Sequence, residues 1–306
     1  MAYYVSWDTG NDSNAGSQAS PFKTVDKGLS VLATNDTLYI EASTTAYTWT
    51  SRTIPAGVSI IGDVKPNPVS NNYVKISGAG ADVYWLFLGS YTLQNLWLDD
   101  VKDTSTSGII YFNRTATGVI VANYTDCIIS NLAGGSSTAG RGGILNGGIS
   151  VGAYTATSIT FNMTNCLFKN IESYGSASAG CLFVQNPGTA FTFNLNGCTW
   201  YQGTPTLTAL DAIVGDYSVD LSTVNINNMA LVNDSGTNLA IHGAYSATSV
   251  NAWYDFTLSG STYTNITTTN GTITNSTNAD AQFIDPASND FRLKPTSPAI
   301  DRGVII

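Results

Sequence analysis

Six ten-residue segments of the chain share one pattern of apolar and polar positions. They are 91–100, 122–131, 161–170, 193–202, 224–233 and 251–260. The first position is mostly apolar (Tyr91, Ala122, Phe161, Phe193, Val224; Asn251 is the exception). The third is apolar throughout: Leu93, Tyr124, Met163, Leu195, Ile226, Trp253. Polar residues sit between them, so each segment opens with the period-two signature of a strand. The fifth position reads Asn95, Asp126, Asn165, Gly197, Asn228, Asp255, all residues that tolerate the left-handed backbone region. A bend is therefore expected at one phase of every segment. Apolar sixth and eighth positions (Leu96, Cys127, Cys166, Cys198, Met229, Phe256, then Leu98, Ile129, Phe168, Trp200, Leu231, Leu258) carry a second strand away from it. The tenth position, Asp100, Asn131, Asn170, Gln202, Asn233, Gly260, is a second turn column.

The sixth position recurs every 27 to 39 residues. A period near 30 with short strands and fixed turns is a solenoid coil. Third strands are expected at 108–112, 143–145, 180–184, 210–214 and 238–242. Three strands per coil make a single-domain, all-β parallel β-helix of about eight to nine coils, in which each inward column is a ladder of like side chains. An antiparallel sandwich leaves the repeated turn chemistry unexplained. Residues 1–36 read as a cap with an amphipathic helix over 21–32, Ser20 as its N-cap and Pro21 in its first turn. Phe22, Val25, Leu29 and Leu32 fall on one face of that helix. The β-helix then runs over 37–282, with early strands expected at 37–41, 53–61 and 73–77, and 283–306 closes it.

The two ends carry motifs. Tyr4-Val5-Ser6, Asp12-Ser13-Asn14-Ala15-Gly16-Ser17, Ser20-Pro21-Phe22-Lys23-Thr24-Val25 and Asn35-Asp36-Thr37-Leu38-Tyr39-Ile40 form the first. Phe283-Ile284-Asp285-Pro286, Asn289 to Pro295 and Ser297-Pro298-Ala299-Ile300-Asp301-Arg302-Gly303 form the second. Together they resemble right-handed parallel β-helix proteins of the pectin-lyase-like superfamily, on the surface-protein and phage tail-spike side of it. The resemblance implies the fold. It leaves open a wide range of activities, from polysaccharide lyases and glycoside hydrolases to structural surface proteins.

Composition narrows the function. Charged residues are 11% and the net charge is −9, so a nucleic-acid backbone is a poor partner. Ser, Thr and Asn make up about a third of the chain. No apolar run reaches the length of a membrane span. The N-terminus shows no signal peptide and the C-terminus no sorting tail, which is expected of a virion protein made in a cytosol or of a chain whose leader has been removed.

Glycan hydrolysis requires two carboxylates flanking the bond, and lyase chemistry in the resembling families uses Ca²⁺-binding acids with a Lys or Arg base. No column of the six segments stacks two acids. The loops hold Asp103, Glu172, Asp211, Asp216 and Asp220, with Lys102, Arg114, Arg141 and Lys169. Asp99, Asp100 and Asp103 could hold Ca²⁺, but a solvated turn is the favoured reading, as is an Asx-rich turn for Asp8 to Gly16. His242, the single histidine, reads as a structural residue at a coil edge. Cys127, Cys166, Cys198 and Cys181 read as small core residues. No cofactor or metal is therefore assigned, Ca²⁺ being the one weighed. Trp97, Ile128 and Leu167 form an outward apolar stripe that needs a cover, either the chain's own inter-coil segments 104–107 and 133–141, another subunit or a ligand. Tyr174 and Tyr201 are candidates for stacking on sugar rings.

The resulting expectation is a non-catalytic structural or recognition protein of a virion or cell surface: a fibre, spike or decoration subunit that self-associates or binds surface proteins or glycan. The alternative is a polysaccharide lyase or glycoside hydrolase.

Overall fold

The computed structural model describes residues 1–67, 72–103, 109–112, 116–134, 145–146, 156–173, 182–184, 190–203, 208–209, 212–217, 222–234, 239–246, 249–253, 256–259, 261–264, 266–267, 271–286, 288 and 290–299. The chain winds through three sheets in turn. Sheet I has ten parallel strands, from Ala2–Val5 and Thr37–Ile40 to Phe256–Ser259 and Gly271–Thr274. Sheet II runs from Arg52–Ile54 to Leu239–Ser246 and holds the expected third strands: Ile110–Phe112, Leu145–Asn146, Leu182–Val184 and Ala212–Tyr217. Sheet III stacks nine strands between Tyr47–Thr48 and Thr277–Asn278, and Thr208–Ala209 adds antiparallel to Leu167–Ser173. The fold is the parallel β-helix that the repeat predicts.

Its core follows from the period-two pattern. Leu38, Ile60, Leu93, Tyr124, Met163, Leu195, Ile226 and Leu258 form one inward ladder in sheet I, each at 0% exposure. Phe161 stacks on Phe193 with centroids 5.0 Å apart. The Cys127, Cys166 and Cys198 thiols are buried and unbridged, and burial pushes the Cys127 thiol pKa up. Cys181 lies outside the described residues.

The bend column adopts the left-handed conformation at φ 58° (Asn95), 53° (Asp126), 59° (Asn165), 61° (Gly197) and 55° (Asn228). The second turn column does so at Asp100 (53°), Asn131 (52°) and Asn170 (50°). These columns turn the chain sharply, and the parallel register slips only locally, as between Gly118 and Val119 and between Ser77 and Ala81.

Three expectations are corrected. The capping helix spans Val25–Ser30, not 21–32, and its N-cap is Thr24, whose side chain accepts from the Lys27 amide at 3.1 Å. Pro21 and Phe22 instead run extended beside the first strand, where the Phe22 amide donates to the Tyr4 carbonyl at 2.9 Å. Residues 53–61 do not form one strand: Gly57, at φ 76°, separates Arg52–Ile54 from Val58–Gly62. The sixth segment is out of phase. Ser249–Trp253 doubles back antiparallel on Leu239–Ser246, and Ile226 pairs with Leu258 rather than Trp253. Alternation fixes which residues face inward along a strand, but it does not say which sheet receives the strand.

Candidate functional site

Two columns of side chains point outward along sheet I. One reads Ala2, Thr37, Ser59, Thr92, Asn123, Asn162, Asn194, Asn225, Thr257, Thr272. The other reads Tyr4, Tyr39, Ile61, Gln94, Thr125, Thr164, Asn196, Asn227, Ser259, Thr274. Neither contains a charge, in a chain of net charge −9. At about 4.8 Å per strand the face extends about 40 Å.

The asparagines on this face are tied into a ladder. Asn162 Nδ2 donates to Asn123 Oδ1 at 3.1 Å, Asn194 to Asn162 at 2.9 Å and Asn225 to Asn194 at 2.9 Å. Thr257 Oγ1 donates to Asn225 Oδ1 at 3.0 Å, and in the second column Asn227 Nδ2 donates to Asn196 Oδ1 at 2.9 Å. An amide carries two N–H donors and two lone pairs. The ladder uses one of each, which fixes the amide and leaves one donor and one acceptor per interior rung.

The face ends at the first coil in a cleft of about 540 Å³ lined by Tyr4, Ser6, Thr9, Gln18, Tyr39, Glu41 and Asp63. The Tyr4 and Tyr39 rings stack at 5.1 Å with planes 21° apart. Ser6 Oγ accepts from the Thr9 amide at 3.2 Å and its hydroxyl at 2.9 Å, which shapes the wall. The Tyr47 hydroxyl accepts from the Trp7 amide at 3.0 Å and donates to the Glu41 carbonyl at 2.8 Å.

Ile40 pairs with Gly62, so Glu41 and Asp63 leave neighbouring strands side by side. This is a stacked pair of acids, which the comparison of segments beginning at Tyr91 does not reach. Its signal is the match of Thr37-Leu38-Tyr39-Ile40-Glu41 to Ser59-Ile60-Ile61-Gly62-Asp63. Asp63 Oδ1 accepts from the Ala42 amide at 2.8 Å. Burial raises its pKa against that bond, and the charge of Glu41 adds to the rise. Among the described residues the Glu41 carboxylate makes no hydrogen bond or ion pair.

The other candidate residues lie apart from this cleft. Trp97 and Ile128 are each 5% exposed, so the outward stripe is covered within the chain, while Leu167 is half-buried. Tyr73 packs on the Trp97 ring at 4.8 Å, the Lys75 ammonium sits 4.9 Å from its centroid, and its Nε1 donates to Ser130 Oγ at 2.7 Å. The cover of Trp97 thus comes from the segment before the stripe; 104–107 and 135–141 lie outside the described residues.

Asp99 is an ion-pair partner rather than a cation ligand. Its Oδ2 meets Lys75 Nζ at 2.7 Å, and its Oδ1 accepts from Ser130 at 2.6 Å and Asn131 at 2.8 Å. Asp12 caps a turn, accepting from the Lys23 and Thr24 amides at 2.9 Å each. Among the described residues no group of three His, Cys, Asp or Glu side chains could hold a metal. Lys102 and Glu172 share an outward column but are two strands apart, with Ala133 between them. Lys169 is 7% exposed and its pKa is lowered by burial, which Asp99 and Asp285 oppose.

Tyr201 is half-buried under the C-terminal hairpin Phe283–Asp285/Asp290–Leu293, with Phe291 edge-on at 5.5 Å. Tyr174, Asp211, Asp220, Arg114 and Arg141 lie outside the described residues, as do the side chains of Asp103, Asp216 and His242.

No family model matches the chain, and no curated protein does. Among solved structures it is similar to a rhamnogalacturonan lyase, at 15% identity over 92% of this chain and 74% of that one, with a TM-score of 0.41. It is also similar to pectate lyase Pel9A, at 10% identity over 100% and 92%, TM-score 0.35. A GH136 lacto-N-biosidase from Eubacterium ramulus follows, at 9% identity over 92% and 67%, TM-score 0.25. The parallel β-helix built by the chain's own three sheets is the architecture that its pectin-lyase-like end motifs imply.

Proposed function

We propose that the protein is a non-catalytic glycan-recognition component, of the kind a virion or cell surface carries, and that it binds an uncharged linear glycan along sheet I with one end in the Tyr4–Tyr39 cleft. The observation that carries this reading is the charge-free outer face of ten strands, with its asparagine amides already oriented. Hydroxyl-rich chains are matched by alternating donors and acceptors, and pre-orientation removes part of the ordering cost of binding. Tyrosine supplies an apolar ring with a polar tip, which suits a sugar ring. Acidic glycans are disfavoured by the net charge. Similarity to glycan-acting proteins agrees with this reading but adds no argument of its own.

Glu41 and Asp63 favour a second reading, glycoside hydrolysis. They leave strands about 4.8 Å apart, near the roughly 5–5.5 Å carboxyl separation of retaining enzymes. The Asp63 carboxylate, however, is engaged by a backbone amide in a turn, which fits a structural role better than proton donation. The test is calorimetric titration with neutral and acidic polysaccharides, with parallel assay for reducing ends. Saturable binding of a neutral glycan without product, weakened about 3- to 10-fold by Tyr39→Ala, supports recognition. Product release that Glu41→Gln abolishes establishes hydrolysis instead.

A further inference from the structure

The two ends of the β-helix differ. At the first coil the strand edge is covered by the chain itself. The Tyr4 amide donates to the Gly16 carbonyl and the Ser6 amide to the Phe22 carbonyl, each at 2.9 Å. The helix Val25–Ser30 buries Val25 and Leu29 there and sets Gly28 close against Leu38 and Val5.

The other end has no such cover. Sheets I and III finish on Gly271–Thr274 and Thr277–Asn278, each paired on one side only among the described residues. Register carries the inward ladder of sheet I from Leu258 to Ile273. Leu258 is 0% exposed, but Ile273 is 36% exposed, and Thr272 and Thr274 beside it are exposed as well. The C-terminal hairpin does not close this end. It lies along the outside of sheet III, where Phe283 and Phe291 pack on Tyr201.

An open strand edge is matched by another strand, which supplies backbone donors and acceptors at the same spacing. Exposed edges commonly carry a charge or a proline against such pairing. Residues 256–279 contain neither. In a chain of net charge −9, two copies therefore meet at this end without the repulsion that opposes contact elsewhere. An edge strand is self-complementary when its copy runs antiparallel about a two-fold axis, the commonest symmetry of homo-oligomers. The same rotation brings the exposed ends of the two inward ladders together and removes Ile273 of both copies from water.

We propose that the C-terminal end of the β-helix is a self-association surface. Two copies join tail to tail through antiparallel pairing of Gly271–Thr274. Because the first coil is covered, the assembly closes at two and does not grow into a filament. Sheet I then runs on through both copies, and its uncharged outer face doubles in length.

The test is light scattering on the full chain over a range of concentrations. The expected mass is twice 32.2 kDa. Ile273→Lys sets two ammonium groups against each other across the two-fold axis and weakens the dimer at least about tenfold. Thr274→Lys, at an exposed side chain, does the same should the first variant fail to fold. Val119→Lys, exposed on a middle coil, leaves the dimer intact. A mass of 32.2 kDa at every concentration overturns the proposal. So does a mass that climbs without limit, or a dimer that the folded lysine variants at 273 and 274 leave unchanged.

Discussion

Asn165 is the position at which the bend column is most directly tested. It sits at φ 59° and its Nδ2 donates to Asp126 Oδ1 at 3.0 Å. In Asn165→Val a β-branched residue is forced into the left-handed region, at about 1–2 kcal/mol, and the exposed hydrogen bond is lost, at about 0.5–1 kcal/mol. The sum is about 1.5–3 kcal/mol. Asn165→Gly removes only the hydrogen bond, because glycine adopts positive φ freely. Gly197 provides the reverse case, at φ 61° with its added Cβ no nearer than 3.5 Å to the Asn165 side chain. Gly197→Asn is therefore tolerated. The assay is thermal unfolding by intrinsic fluorescence, at about 2–4 °C per kcal/mol for a chain of some 200 residues and less for a longer one. Hydrogen exchange at 161–170 reports the local loss, since a solenoid need not unfold in one step. Equal effects of Val and Gly at 165 would refute the claim that backbone conformation, and not the side-chain bond, selects this column.

Two further outcomes follow from the electrostatics. The Asp63 pKa is raised, so the folded chain holds that proton more tightly than the unfolded one; its contribution to stability is full below the unfolded value of about 3.9 and is lost as pH rises through the folded value. Asp63→Asn therefore flattens the fall of melting temperature with pH just above 4, and an unaltered profile contradicts the assignment. Asp99→Ala leaves the Lys75 ammonium, with 27% of its side chain exposed, facing Trp97 without its carboxylate; a loss of about 3 kcal/mol is expected for a mostly buried pair, and Lys75→Met with Asp99→Leu recovers only part of it in a double-variant unfolding comparison, because Ser130 and Asn131 lose the acceptor they share.

The fold was legible because two independent signals agree. Alternation in segments such as Phe161–Asn170 gives the strands, and the Asn/Asp/Gly column gives the bends at the same phase. The helix start was misread because Ser20-Pro21 is a good local opening, whereas pairing of Phe22 with the first strand and the Asp12 cap on Thr24 are tertiary. The phase of the last coil was lost because Asn251 to Trp253 alternate as well as Phe256 to Leu258 do, and only the neighbouring strands distinguish them.

The site was harder to read. Outward positions carry no hydrophobic constraint, so Asn123, Asn162, Asn194 and Asn225 read only as the polar half of a strand alternation until register aligns their amides. Glu41 and Asp63 lie 22 residues apart and come together at the ends of two paired strands that precede the six repeat segments. Trp97 reads as uncovered in sequence because Tyr73 and Lys75, which cover it, come from the preceding coil.

The central claim is that the uncharged face of sheet I recognises glycan. The most direct test is to place one negative charge in its middle, Asn194→Asp, and compare calorimetric affinities for the neutral polysaccharide that binds the wild type. The ladder continues through either carboxylate oxygen toward Asn225, but the bond that Asn194 Nδ2 donates to Asn162 becomes a repulsive contact of two acceptors. Melting is checked alongside, and Lys169→Met on sheet III serves as a control away from the face. At least a tenfold loss in Asn194→Asp, with the control unchanged and both variants folded, is the result this account predicts. Undiminished affinity in folded Asn194→Asp would contradict it.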